Sequence, residues 1–244
     1  MRNLRLDICY DGTKYKGFQR LHNPDQTIQG KLEQTLSRLL GETIEISGSG
    51  RTDAGTHALR QVVSFHCESM MPSEEILEGL RRYLPEDIGV YCCKNVSPRF
   101  HARLNAKTKT YRYRIWNGSA PCVFERKYVL IDRDRMDISL MHDAAQQFVG
   151  THDFSAFCAN KNMKKSTVRC IESFSVQQQE NEIVFTVTGN GFLQQMVRIM
   201  VGTLVEIGKN QRAPESIVSL YGGIRSDAGA TVPACGLCLM EVTY

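Results

Sequence analysis

No stretch of this 244-residue chain stays apolar over the roughly 18 residues that a membrane-crossing helix needs, so a helical membrane protein is not the reading. The opening MRNLRLDICYDG also lacks the apolar core of a secretion signal, and a cytoplasmic location is the expectation. Proline is sparse, at seven residues, and no low-complexity segment interrupts the chain, so no long polar linker separates mobile parts. A surplus of one charge is missing too. Thirty basic against 26 acidic residues leave only +4, well short of a dedicated nucleic-acid coat. The nine cysteines are odd in number and scattered, which fits reduced thiols packed as small apolar groups better than a disulfide framework.

What the chain does have is clear periodicity. Leu4, Leu6, Ile8 and Tyr10 alternate with Arg5, Asp7 and Cys9, the period of a half-buried strand. Ile28, Leu32, Leu36, Leu39 and Leu40 then recur at helical spacing, and Gly41 closes that segment. β-rich runs at 43–47 and 61–66, a helical segment between Ser73 and Pro85, and a strand over about 88–96 complete the order βαββαβ. The second half repeats it, with strands at 109–116, 168–176, 183–189 and 237–243 and helices at 138–149 and 191–207; a small helix is added after Pro214. The expected fold is therefore α+β: two ferredoxin-like halves in tandem, 1–103 and 104–244, with antiparallel sheets flanked by helices and a cleft between them.

Two features carry chemistry. The first is the loop SGSGRTDAGTHAL from Ser47 to Leu59, where three glycines permit close backbone approach while Arg51, Asp53 and His57 supply ionisable groups that ordinary turns do not need. From the loop alone, a turn in which Asp53 caps local amides is the plainer reading. The second is the segment 191–207, apolar nearly all round, with Arg198 the one charge in its first fifteen positions. An arginine cannot shed its proton, so one in a core helix must reach an anion or snorkel to the edge. Basic residues also gather at Arg99, Arg103, Lys107, Lys109, Arg112 and Arg114, interleaved with Phe100, Tyr111, Tyr113 and Trp116, and again at Lys161, Lys164, Lys165 and Arg169. That mixture suits phosphate contact beside base stacking, and equally a solvated strand face.

GSGRTDAGTHA, AKTKTYRYRI from Ala106 and GNGFLQQMVRIMVG from Gly189 together resemble the ordered motifs of the tRNA pseudouridine synthase A family, and YDGTKYKGFQR, GTHDFSAF and GLCLMEVTY extend the resemblance from end to end. The resemblance implies an enzyme that isomerises uridine to pseudouridine at positions 38, 39 and 40 of the tRNA anticodon stem-loop, without a cofactor and as a homodimer. It carries the catalytic nucleophile onto Asp53, the arginine that pairs with it onto Arg198, the residue that contacts and stacks on the target base onto Tyr111, and help in extruding that base onto Arg51. Phe18, Thr56, Arg60, Gln194 and Gln195 depart from the commonest family pattern, which bears on the choice of RNA more than on the chemistry.

Two rival readings compete with this one. A tandem RRM-like binding module shares the βαββαβ order, but QVVSFH lacks the Lys/Arg-Gly-aromatic pattern of such modules. A zinc site from His66, Glu68, Cys235 and Cys238 fails on detail, because one residue separates Pro233 from Cys235 and because His66 and Glu68 end a strand. Arg225-Ser226-Asp227-Ala228-Gly229 echoes the Asp53 loop, yet it lies between the extra helix and the last strand, so Asp227 reads as a turn or cap residue.

Overall fold

The computed structural model describes residues 1–160 and 162–244; Lys161, one of the second basic group, lies outside the described residues. The described chain is α+β, and its strand pairing is mostly antiparallel. It divides into two compact units, Met1–Lys107 with Leu239–Tyr244, and Thr108–Cys238. The closing strand, which periodicity places in the second half, thus has its final residues in the first unit.

In the first unit, β1 (Arg2–Tyr10) is paired antiparallel with both β3 (His57–Cys67) and β4 (Ile88–Val96), and short β2 (Ile46–Gly48) adds to β3. Leu4, Leu6 and Ile8 alternate inward along β1 and are completely buried. α1 (Ile28–Leu40) starts where the Thr27 hydroxyl accepts from the Gly30 amide and stops at Gly41, which takes the left-handed conformation with φ 71°. α2 (Ser73–Tyr83) follows Pro72 and ends just ahead of Pro85. Ile28, Leu32 and Leu36 of α1 and Ile76 and Leu80 of α2 face the sheet, so both helices bury one stripe against it.

β3 begins at His57, four residues earlier than periodicity suggests, so the loop between β2 and β3 is residues 49–56. Tyr10 pairs with Ala58 and Ile8 with Gln61, leaving one extra residue on β3. This bulge turns Leu59 and Arg60 outward in succession, which breaks the alternation that marks a strand in sequence.

In the second unit, β5 (Lys109–Trp116) pairs with β9 (Glu182–Gly189), β9 with β8 (Val168–Gln179), and β8 with β7 (Gly150–Asp153); the two-residue β6 (Leu130–Ile131) lies parallel to β5. α3 (Ile138–Gln146) is capped by Asp137, whose carboxylate accepts from the Leu140 amide at 2.9 Å. α3 ends three residues short of the expected 149. Gln147, Phe148 and Val149 tighten to bonds three residues back, and Gly150, at φ 116°, opens β7. The tightening turns Phe148 into a cluster with Phe154, Phe157 and Phe174, and burial of that cluster outweighs another turn of helix.

α4 (Met196–Gly208) packs on α3 and β5, and nearly all of its residues are buried. It starts five residues later than the expected 191, because Gln195 sits in the left-handed region at φ 60°. α5 (Ser216–Ser219) is one turn, and β10 (Leu237–Val242) closes the chain. No helix among the described residues is long and apolar enough to cross a membrane.

Candidate active site

The loop at 49–56 rests on the segment 10–18. The Phe18 amide donates to the Thr52 carbonyl at 3.1 Å, the Tyr10 and Thr52 hydroxyls share a hydrogen bond at 2.9 Å, and the Gly55 amide donates to the Tyr15 carbonyl at 3.3 Å. A Cβ on Gly12 would stand 2.0 Å from the Thr56 carbonyl oxygen, so only glycine lets the two backbones meet there. Gly55, at φ 78°, makes the turn that follows Asp53, and the Thr56 amide returns to the Asp53 carbonyl at 3.1 Å. Below the loop, Ser49 is fully buried, its hydroxyl donates to the Gln61 side chain, and the Gln61 amide group donates to the Gly50 carbonyl at 3.0 Å.

These bonds leave Asp53 half-buried on a pinned turn, with Arg51 and Ala54 exposed on either side. A carboxylate so held can meet a large substrate without losing its position. His57, the other ionisable group of the loop sequence, is on β3 and buried. Its Nδ1 lies 3.1 Å from the Gly12 amide nitrogen and 3.2 Å from an Asp11 carboxylate oxygen. His57 therefore ties the start of β3 to the segment 10–18. Tyr10, Gly12, Tyr15 and Phe18 support this loop, and no motif chemistry singled them out; the early YDGTKYKGFQR, with two glycines among aromatic residues, is the available signal.

In the second unit Tyr111 lies on β5, opposite Val187, and is 7% exposed, with its ring meeting Phe192 edge to face at 5.1 Å and 83°. Tyr113, two residues on, is wholly buried, and its hydroxyl donates to the Pro233 carbonyl at 2.8 Å; burial pushes that phenol far above its ordinary titration range. Arg198 is half-buried on the first turn of α4 and not sealed in the core. Its Nε donates to the Val232 carbonyl at 2.7 Å while the Val232 amide returns to the Arg198 carbonyl at 3.4 Å. The stretch 228–232 is set tightly against α4: a Cβ on Gly202 would stand 1.8 Å from the Ala230 oxygen, and the Gly229 amide donates to the Thr203 hydroxyl at 3.0 Å. Tyr111 and Arg198 thus lie on packed elements of the second unit, while Asp53 and Arg51 share a loop of the first.

The basic groups are partly used up inside the fold. Arg114 is bound by Glu182 at 2.6 Å and Glu125 at 3.0 Å, and Arg169 donates to the Ser166 and Val168 carbonyls. The Phe100 ring lies tilted against Tyr244, centroids 5.0 Å apart at 52°, with the Arg5 guanidinium 4.8 Å from the Tyr244 ring. Arg99, Arg103, Lys107, Arg112, Lys164 and Lys165 remain exposed. Among the described residues no group of three or more His, Cys, Asp or Glu is placed to hold a metal ion.

A family model described as tRNA pseudouridine synthase matches residues 8–105 and 144–244, which takes in the loop of Asp53 and the helix of Arg198. The protein is thus an isomerase of the pseudouridine synthase class on an α+β fold. Among curated proteins it is 47% identical to tRNA pseudouridine synthase A of Bacillus sp. (strain KSM-64), 44% to tRNA pseudouridine synthase A 1 of Clostridium tetani and 41% to tRNA pseudouridine synthase A of Pelobacter propionicus, in each case over the full length of both chains. The chain belongs to the tRNA pseudouridine synthase A family. Membership replaces the binding-module reading, since the family is one of enzymes. Among solved structures, a chain of a Cbf5-Nop10-Gar1 complex overlaps 97% of this chain and 58% of its own at 10% identity and a TM-score of 0.39, too slight a likeness to bear on the fold.

Proposed function

We propose that this enzyme converts uridine to pseudouridine at positions 38, 39 and 40 of the tRNA anticodon stem-loop, with Asp53 as the catalytic carboxylate. The reaction breaks the bond from uracil N1 to the ribose, turns the base, and rejoins it through C5, whose hydrogen leaves as a proton while N1 gains one. Asp53 adds to the ribose carbon or takes a ribose proton to release the base; either route needs the ionised carboxylate. Arg198, charged at any physiological pH, pairs with Asp53 and fixes its direction. The target base must leave its stack, which costs a few kcal/mol. Arg51 helps to expel it, and Tyr111, its ring steadied by Phe192, contacts and stacks on it. The exposed basic side chains meet phosphates, which position the RNA without reading sequence. No cofactor takes part in this scheme. The enzyme acts in the cytoplasm as a homodimer, so that each RNA touches both subunits.

The observation that carries this reading is the aspartate itself, half-exposed on a turn held from both sides by the segment 10–18. Purified protein, given tRNA transcripts labelled with [5-³H]uracil, releases tritium without added metal or nucleotide, and Asp53→Asn stops release while binding the same RNA. Mapping the product by carbodiimide-dependent primer arrest places it at 38–40. No release from any transcript that carries uridine at those positions would send the assignment to another RNA, a reading that the departures at Phe18, Thr56, Arg60, Gln194 and Gln195 leave open.

A further inference from the structure

Four of the contacts that hold the peptide carrying Asp53 come from residues 10–18. Three run between backbones: Phe18 to Thr52, Gly55 to Tyr15, and Gly12 pressed against Thr56. The fourth joins two side chains, the Tyr10 and Thr52 hydroxyls at 2.9 Å, in a site where Tyr10 is 5% and Thr52 7% exposed. Tyr10 is the last residue of β1, next to the bulge that ends its regular pairing with β3, and Thr52 is the residue immediately before Asp53. The phenol therefore reaches from a rigid, fully paired strand to the residue whose backbone sets the aspartate's direction.

The geometry points to Tyr10 as a positioning residue for the isomerisation, acting through the Thr52 hydroxyl to hold the Asp53 carboxylate in its reactive orientation. The inference rests on Asp53 being the catalytic carboxylate. Tyr10 touches neither RNA nor reacting atoms in this role; it removes freedom from the turn. A ring without the hydroxyl still fills the space beside Phe18, whose ring centre is 6.4 Å away, so packing and positioning can be separated by one oxygen atom. Small misplacements of a catalytic group are costly, and the loss falls on the chemical step while RNA binding is left alone.

The test uses the full-length enzyme and single-turnover tritium release from labelled tRNA, with RNA affinity and melting temperature measured on the same samples. Tyr10→Phe and Thr52→Val each slow the chemical step by about tenfold or more, with RNA affinity unchanged, below the melting temperature of every variant. The double variant is no slower than the slower single one, because both remove the same bond. Thr52→Ser, which keeps the hydroxyl, restores the rate to within about twofold of the parent. A rate for Tyr10→Phe within twofold of the parent, or losses that multiply in the double variant, overturns the inference. Asp53→Asn run in parallel separates the two claims: turnover there removes the catalytic aspartate itself, whereas an inactive Asp53→Asn beside a fully active Tyr10→Phe removes only the positioning role.

Discussion

The sequence contains Arg-x-Asp-Ala-Gly twice, at 51–55 and at 225–229, and the fold treats the two copies in opposite ways. In the first, the aspartate is half-buried on a pinned turn, the arginine is exposed, and the glycine supplies a positive φ of 78°. In the second, Asp227 is exposed, Arg225 is anchored to the Ala228 carbonyl at 3.2 Å and the Thr231 hydroxyl at 2.8 Å, and Gly229 is needed because a Cβ there would fall 2.6 Å from the Thr203 Cα. The first copy is arranged around its acid and the second around its glycine. A five-residue pattern states which groups are available, and the element packed against it decides which of them is put to use.

The comparison is most exposed at its acids. Asp53→Asn is expected to reduce tritium release to background, whereas Asp227→Asn keeps release within about twofold of the parent, the scale of an ordinary surface change. Equal losses in both would end the distinction. At the glycines, Gly229→Ala forces a methyl into the α4 backbone and is expected to cost about 1–3 kcal/mol in denaturant unfolding, with a variable loss of rate as the Val232 carbonyl moves away from Arg198. Gly55→Ala strains a left-handed turn at about 1–2 kcal/mol and lowers kcat more than Gly229→Ala does, since the turn adjoins Asp53. A larger kcat loss for Gly229→Ala would reverse the assignment of roles.

The arginines give smaller effects of opposite kind. Arg225→Ala removes two internal hydrogen bonds and is expected to lower stability by about 0.5–1.5 kcal/mol with kcat/KM little altered. Arg51→Ala leaves stability unchanged and lowers kcat/KM on tRNA on the order of tenfold, about 1.4 kcal/mol of transition-state binding. Calorimetry and steady-state kinetics on the two variants are enough to see the crossing. The smallest effect sharpens the picture of the first loop. Thr56 is 2% exposed and its hydroxyl has no hydrogen-bond partner among the described residues, so Thr56→Val, which keeps the shape, is expected to raise stability by about 1 kcal/mol. A fall in melting temperature would mean that the hydroxyl finds a partner in solution.

Element order was largely legible in the sequence, because β1, α1 and β5 each obey a single period over eight or more residues and α1 has both a capping threonine and a terminating glycine. The misplaced boundaries have particular causes. β3 loses its alternation at the bulge of Leu59 and Arg60, α3 stops early to bury Phe148, and α4 starts late at Gln195, where no glycine or proline marks the break. β6 and β7, at two and four residues, are too short to show a period at all.

The sequence by itself determined the chemistry available to this protein: one loop with an arginine, an aspartate and flexible glycines, one apolar helix with a single arginine, and motifs specific enough to resemble one enzyme family. Tertiary structure alone decided that residues 10–18 would be the floor of the Asp53 loop, that Arg198 would take its bearing from Val232, and that Arg114 and Arg169 would serve the fold. The physical reason is that periodicity and propensity are local, whereas a pinned turn is made by hydrogen bonds and close backbone contacts between residues some 40 positions apart, such as Tyr10 with Thr52 and Gly12 with Thr56.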